Sequence, residues 1–73
     1  MKKYNASITF ELKENHPYYK SHKGVIMTFN DIYYDSLGYN PEYMISYIKH
    51  DLSLVAGGGY RTDTIKNVSF KIN

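Results

Sequence analysis

Apolar and polar positions alternate through residues 6–13. Ala6, Ile8, Phe10 and Leu12 fall on one side, and Ser7, Thr9, Glu11 and Lys13 on the other. A period of two with β-branched and aromatic content predicts a strand with one buried face. Glu14-Asn15-His16-Pro17 ends it, because Pro17 has no amide hydrogen to donate and Asn15 favours turns. Tyr18 to Phe29 predicts a second strand, antiparallel to the first, interrupted at Gly24 and closed by Val25-Ile26-Met27-Thr28-Phe29.

The pattern then turns helical. Thr28 can cap a helix with its hydroxyl, Asn30 and Asp31 suit a first turn, and Gly38 sits where a helix would stop. These signals predict a short helix over 29–37. Asn40-Pro41-Glu42 is a sharper start: a good cap, a proline at the first helical position, and an acid in the first turn. Met44 or Ile45, Ile48, Leu52 and Val55 recur at helical spacing before Gly57-Gly58-Gly59, which predicts a helix over 41–54. Ile45, Tyr47, Ile48, Leu52 and Leu54 also fit extended structure; the start and stop signals favour the helix. Val68, Phe70 and Ile72 alternate with Ser69 and Lys71, so a strand closes the chain. The pattern predicts one α+β domain over 1–73: β-β-α-α-β, with the helices on one face of a small antiparallel sheet.

Composition narrows the picture. At 73 residues the chain holds one domain, of a size that is marginal when it stands alone. With no cysteine there is no disulfide framework and no thiolate metal cage, which fits a reducing, intracellular setting. Met1-Lys2-Lys3 runs into Tyr4-Asn5-Ala6-Ser7 instead of an apolar segment, so no secretory leader is expected, and no apolar run suits a membrane span. Self-association is the remaining common remedy for so small a core, and nine tyrosines suit a surface buried only on binding.

The formal net charge of +2 conceals a pattern. It resolves into +3 over residues 1–24, −3 over 25–58 and +2 over 59–73. The negative stretch holds both expected helices and five of the nine tyrosines. On the expected short helix, Asp31 and Asp35 stand four apart and share a face. Such acids are usually solvated; beside tyrosines they also suit a basic partner.

Catalytic and metal chemistry find little support. His16, His22 and His50 include no pair at helical ligand spacing and have no cysteine to complete a zinc set. No serine lies in a nucleophile elbow, and the Ser21 and His22 side chains are expected to diverge on a strand. Gly57-Gly58-Gly59-Tyr60-Arg61 follows a helix and lacks the Gly-Lys-Ser/Thr of a phosphate loop, so it reads as a stop and turn. No enzyme, cofactor or metal is expected.

At Tyr18-Tyr19-Lys20-Ser21-His22-Lys23-Gly24 the chain resembles the small uracil-DNA glycosylase inhibitor family of short-tailed phages, which carries Tyr-Tyr-x-x-His-Lys-Gly ahead of an apolar strand end, a hydroxyl cap and a short acidic-aromatic helix. Gly38-Tyr39-Asn40-Pro41-Glu42-Tyr43-Met44-Ile45 adds a further similarity. The resemblance implies a homodimeric DNA mimic in the cytoplasm of a phage-infected bacterial cell. It implies occlusion of the DNA cleft of host uracil-DNA glycosylase and capture of that enzyme's apolar wedge residue in a hydrophobic pocket. The family's helix acid aligns with Asp31, its helix tyrosine with Tyr34, and its helix phenylalanine with Asn30, next to Phe29. The expected partner-binding set is Phe29, Asp31, Ile32, Tyr33, Tyr34 and Asp35, with Tyr19 from the heptapeptide.

A basic DNA cleft with an exposed apolar wedge is a surface that carboxylates around an aromatic pocket can compete for. The same logic admits an anti-CRISPR or anti-restriction protein. A single-stranded nucleic-acid-binding module is the alternative from another class, with exposed tyrosines stacking bases and Lys20, Lys23 and Arg61 holding phosphates. Direct nucleic-acid binding is the less favoured of the two. A structural protein whose tyrosines hold an oligomer together is the plainest alternative.

Overall fold

The computed structural model describes residues 1–58 and 61–73; residues 59–60 of the expected turn lie outside them. Strand β1 (Lys2–Leu12) carries the alternating pattern, and it begins four residues earlier than the pattern required. Its inward residues Tyr4, Ala6, Ile8, Phe10 and Leu12 are all buried. Strand β2 (Met27–Asp35) and strand β3 (Ile65–Ile72) pair antiparallel on either side of it, so the sheet order is β2-β1-β3. Helix α1 (Pro41–Ala56) carries the chain from β2 across β1 to β3. The architecture is a small α+β fold with a three-stranded antiparallel sheet and one helix.

Helix α1 forms where the start signals place it. Asn40 Oδ1 accepts the Glu42 amide at 2.8 Å, and Pro41 occupies the first turn. Met44, Ile48, Leu52 and Ala56, each four residues after the last, form the buried stripe. Val55, expected in that stripe, is 52% exposed, and Ala56 takes the last buried place. The helix is two residues longer than expected and ends at Gly57, whose amide returns to Ser53 O at 2.9 Å.

Two expectations are overturned. Of the strand expected over 18–29, residues 18–26 are not strand: Tyr19–Ser21 forms a single 3-10 turn, and Gly24 follows at φ +75°. His16, just before Pro17, starts a run of tight turns, with Tyr19 N donating to His16 O and His22 N to Tyr19 O, both at 3.1 Å. Residues 29–37 are not helix either: Met27–Asp35 is a strand in register with β1, from Lys2 opposite Asp35 to Phe10 opposite Met27. Thr28, Phe29, Ile32, Tyr33 and Tyr34 are all strand formers, and pairing with β1 satisfies the backbone that a short helix would leave open at both ends. Gly38 does take a left-handed conformation, φ +73°, but in the turn after a strand. Asp35 fixes that turn, with Oδ1 accepting the Leu37 and Gly38 amides at 3.0 Å each.

The expected last strand is present and starts earlier, at Ile65. It carries one extra residue between the pairs Thr9–Ser69 and Glu11–Lys66. Asn67 absorbs it at φ +53° and donates from Nδ2 to Glu11 Oε2 at 2.6 Å. Opposite the helix, the sheet face is uncovered and polar, carrying Asn5, Ser7, Thr9, Asn30, Ser69 and Lys71; Thr9 and Thr28 hydroxyls meet across it at 3.2 Å. One helix on one face gives a long, thin body, 41 × 17 × 15 Å. No helix among the described residues is long and apolar enough to cross a membrane.

Candidate functional site

The change from helix to strand redistributes the expected partner-binding residues. On a strand, side chains alternate, so Phe29, Asp31, Tyr33 and Asp35 point to the helix side while Ile32 and Tyr34 point to the open face. Asp31 and Asp35 still share a side, through a period of two and not through a helical turn. Tyr19 stands apart on the 3-10 turn, partly buried against the core. The other six residues are therefore spread over both faces of β2, from Phe29 near its start to Asp35 at its end.

At the start of β2 the seam with the helix leaves an apolar hollow. Phe29 packs edge-on against Phe10, centroids 5.2 Å apart, and faces Met27, Val55 and Ala56. The enclosed part is about 90 Å³. It adjoins an open depression between Leu52, Val55 and the β2 residues Thr28 to Asp31, which brings the Asp31 carboxylate to the margin of the apolar surface. Tyr18 and His22 line the hollow from the heptapeptide side.

The wall below the hollow is held by buried polar bonds. His16 is buried, with Nε2 donating to Ala56 O and Nδ1 accepting the Tyr18 amide, both at 3.0 Å. Both ring nitrogens are thus engaged in closing the helix end onto the 13–26 connection, which fixes the Nε2–H tautomer. The fully buried Thr64 reaches the Gly57 and Arg61 carbonyls from its hydroxyl. Ser21 and His22 do not diverge: Ser21 Oγ stands 2.8 Å from His22 Nδ1. Both also reach the Tyr18 carbonyl, at 3.1 and 3.2 Å, so this contact is a local turn lock with no acid behind the imidazole. The exposed Arg61–Asp63 pair, 3.0 Å, raises the guanidinium pKa and lowers that of the carboxyl through their mutual hydrogen bond.

At the far end of β2 the surface is different in kind. Tyr39, Tyr43 and Tyr47 stand at intervals of four, with Tyr43 and Tyr47 on one face of α1 and Tyr39 in the loop before it. The Tyr39 and Tyr43 rings lie 5.2 Å apart, and Tyr47 meets Tyr33 edge-on at 6.2 Å. With Tyr34, Asp35 and Leu37 they line a cleft of about 300 Å³. Tyr43 and Tyr47 remain 57% and 50% exposed, too much for core residues. Tyr33 is anchored: its hydroxyl donates to Asp51 Oδ2 at 2.6 Å. Burial first, then that hydrogen bond and the Asp51 charge, push the Tyr33 hydroxyl well above the usual phenol range. Sequence reasoning put Tyr39, Tyr43 and Tyr47 outside the partner-binding set; their spacing of four, beside a well-capped helix start, was the signal for them.

Compared with protein-family models, with characterised proteins and with solved structures, the chain matches none.

Proposed function

We infer that this protein is a binding protein that inhibits a DNA-binding enzyme by seating on its nucleic-acid cleft, acting as a homodimer. The observation that supports this reading is the hollow between Phe29 and Val55, about 90 Å³, adjoining an open depression that Asp31 lines. An apolar depression of that size accepts one protruding aliphatic side chain. The surrounding segment, 25–58, carries a net charge of −3, which suits the basic rim of a DNA cleft. Uracil-DNA glycosylase is the first target to test, on the strength of the resemblance at Tyr18–Gly24. Only part of the surface is acidic, so apolar contact carries most of such an interaction.

A uracil-excision assay tests it. Stoichiometric protein blocks excision and co-elutes with the enzyme, whereas Val55→Glu, an exposed change at the lip of the hollow, abolishes both. Full excision in the presence of excess protein, with no complex on size exclusion, overturns the reading.

The uncovered sheet face supports a second one, as a single-stranded nucleic-acid binder. Lys66 and Lys71 of β3 lie on that face, and Lys71 lines an open depression of about 570 Å³ with Asn5, Ser7 and Asn30. A gel shift that weakens steeply with salt and is lost in Lys71→Glu supports this second reading over the first.

A further inference from the structure

The tyrosine cleft at the far end of β2 has a chemistry that the apolar hollow lacks. Its walls are the faces and edges of exposed phenol rings, and its floor includes a carboxylate. Tyr39 and Tyr43 are tilted at 45° with centroids 5.2 Å apart, and Tyr47 is held perpendicular to Tyr33. A ring pair splayed in this way leaves π-faces unoccupied. Asp35 lines the same cleft and is 5% exposed. Its Oδ1 is committed to the Leu37 and Gly38 amides, which fixes the carboxylate in place.

Neither Lys2 nor Lys49 serves the cleft as its cation. Lys2 is the cross-strand partner of Asp35, but its ammonium lies over the Tyr4 ring at 5.0 Å and makes no ion pair with Asp35. Lys49 lies over Phe70 at 5.6 Å. Among the described residues, no cation–π contact falls on the cleft tyrosines. A fixed buried carboxylate surrounded by open aromatic faces has the charge and shape of a cation receptor.

We propose that the cleft formed by Tyr39, Tyr43, Tyr47 and Asp35 is an aromatic cage for an arginine side chain presented by a protein partner. Arginine fits better than lysine on three counts. Its guanidinium is planar and stacks on phenol faces. It sheds water more readily than an ammonium. It also carries donors in its plane that reach a carboxylate and phenol oxygens while its faces stay in contact with the rings. The cage is separate from the Phe29–Val55 hollow, lies toward the opposite end of β2, and stands whether or not the target is a DNA-binding enzyme.

Titration of the full chain with N-acetyl-arginine amide, followed by NMR, tests the proposal; N-acetyl-citrulline amide is the uncharged isostere. Saturable shifts are expected at Tyr39, Tyr43 and Tyr47, with citrulline about tenfold weaker. Asp35→Asn keeps the Oδ1 acceptor for the Leu37 and Gly38 amides and removes only the charge, so it brings the two ligands to parity. Tyr43→Leu, at an exposed helical position, abolishes the shifts if Asp35→Asn proves unfolded. Val55→Glu leaves the arginine titration unchanged, so the cage and the hollow fail independently. Equal binding of arginine and citrulline by the native chain, shifts confined to other acids, or no saturable shift overturns the cage.

Discussion

The seam between β2 and α1 has two ends built on opposite principles. At the helix C-terminus the chain is closed by buried polar bonds: His16 to Ala56 and Tyr18, and Thr64 to Gly57 and Arg61. At the helix N-terminus, tyrosines stand out from the surface above the Tyr33–Asp51 bond and the turn held by Asp35. At the first end, satisfied donors and acceptors hold the wall of the apolar hollow, so its shape is set by the fold. The second keeps apolar area in water at some cost in stability, and that is the condition of a surface kept for a partner.

Substitutions along the seam separate the two ends. Gly57→Ala produces the largest effect, because a Cβ there would collide with the Arg61 carbonyl, which is backbone and cannot swing aside. Unfolding in urea is expected to show a loss of about 3 kcal/mol or more. His16→Ala leaves the Ala56 carbonyl and the Tyr18 amide without partners, and about 2 kcal/mol is expected to be lost in the same measurement. A result near zero for either would remove the distinction between the ends.

Tyr33→Phe sharpens the comparison at the other end. The Tyr33 hydroxyl holds its proton more tightly folded than unfolded. Its contribution is therefore complete below the ordinary phenol pKa of about 10 and declines as pH rises above it, where the unfolded chain ionises first. Urea unfolding at neutral pH and again above pH ~10 is expected to show a smaller alkaline loss in Tyr33→Phe than in the native chain. Tyr43→Ala gives the smallest effect, within about 0.5 kcal/mol, because the ring is mostly in water. A loss comparable to that of His16→Ala would make Tyr43 part of the core and the cleft a packing defect.

Much of the scaffold was legible in the sequence, and the places where it was not have a common cause. The alternation of 6–13 and the Asn40-Pro41-Glu42 start are local signals that tertiary packing reinforces, and both elements form. In β2 the alternation is masked. Two of its helix-side positions are carboxylates, Asp31 and Asp35, and two open-face positions are Ile32 and Tyr34. From Asp31 onward the pattern is therefore inverted at 31, 32, 34 and 35, while Thr28 and Gly38 imitate helix ends. Only pairing with β1 decides the matter, and that pairing is non-local. The candidate site was legible as a segment, acidic and tyrosine-rich, but not as a surface: a face inferred at helical period divides between two faces at strand period.

Both outer strands of this sheet leave a row of backbone amides and carbonyls unpaired, and such rows recruit further strands into aggregates. The chain guards them differently. On β3 the Asn67 bulge breaks the regular repeat between Lys66 and Lys71. On β2 the helix-side position at Asp31 is exposed and charged, so a chain docking there would have to bury a carboxylate. A residue that obscures the strand in the sequence thus also makes its free edge costly to extend.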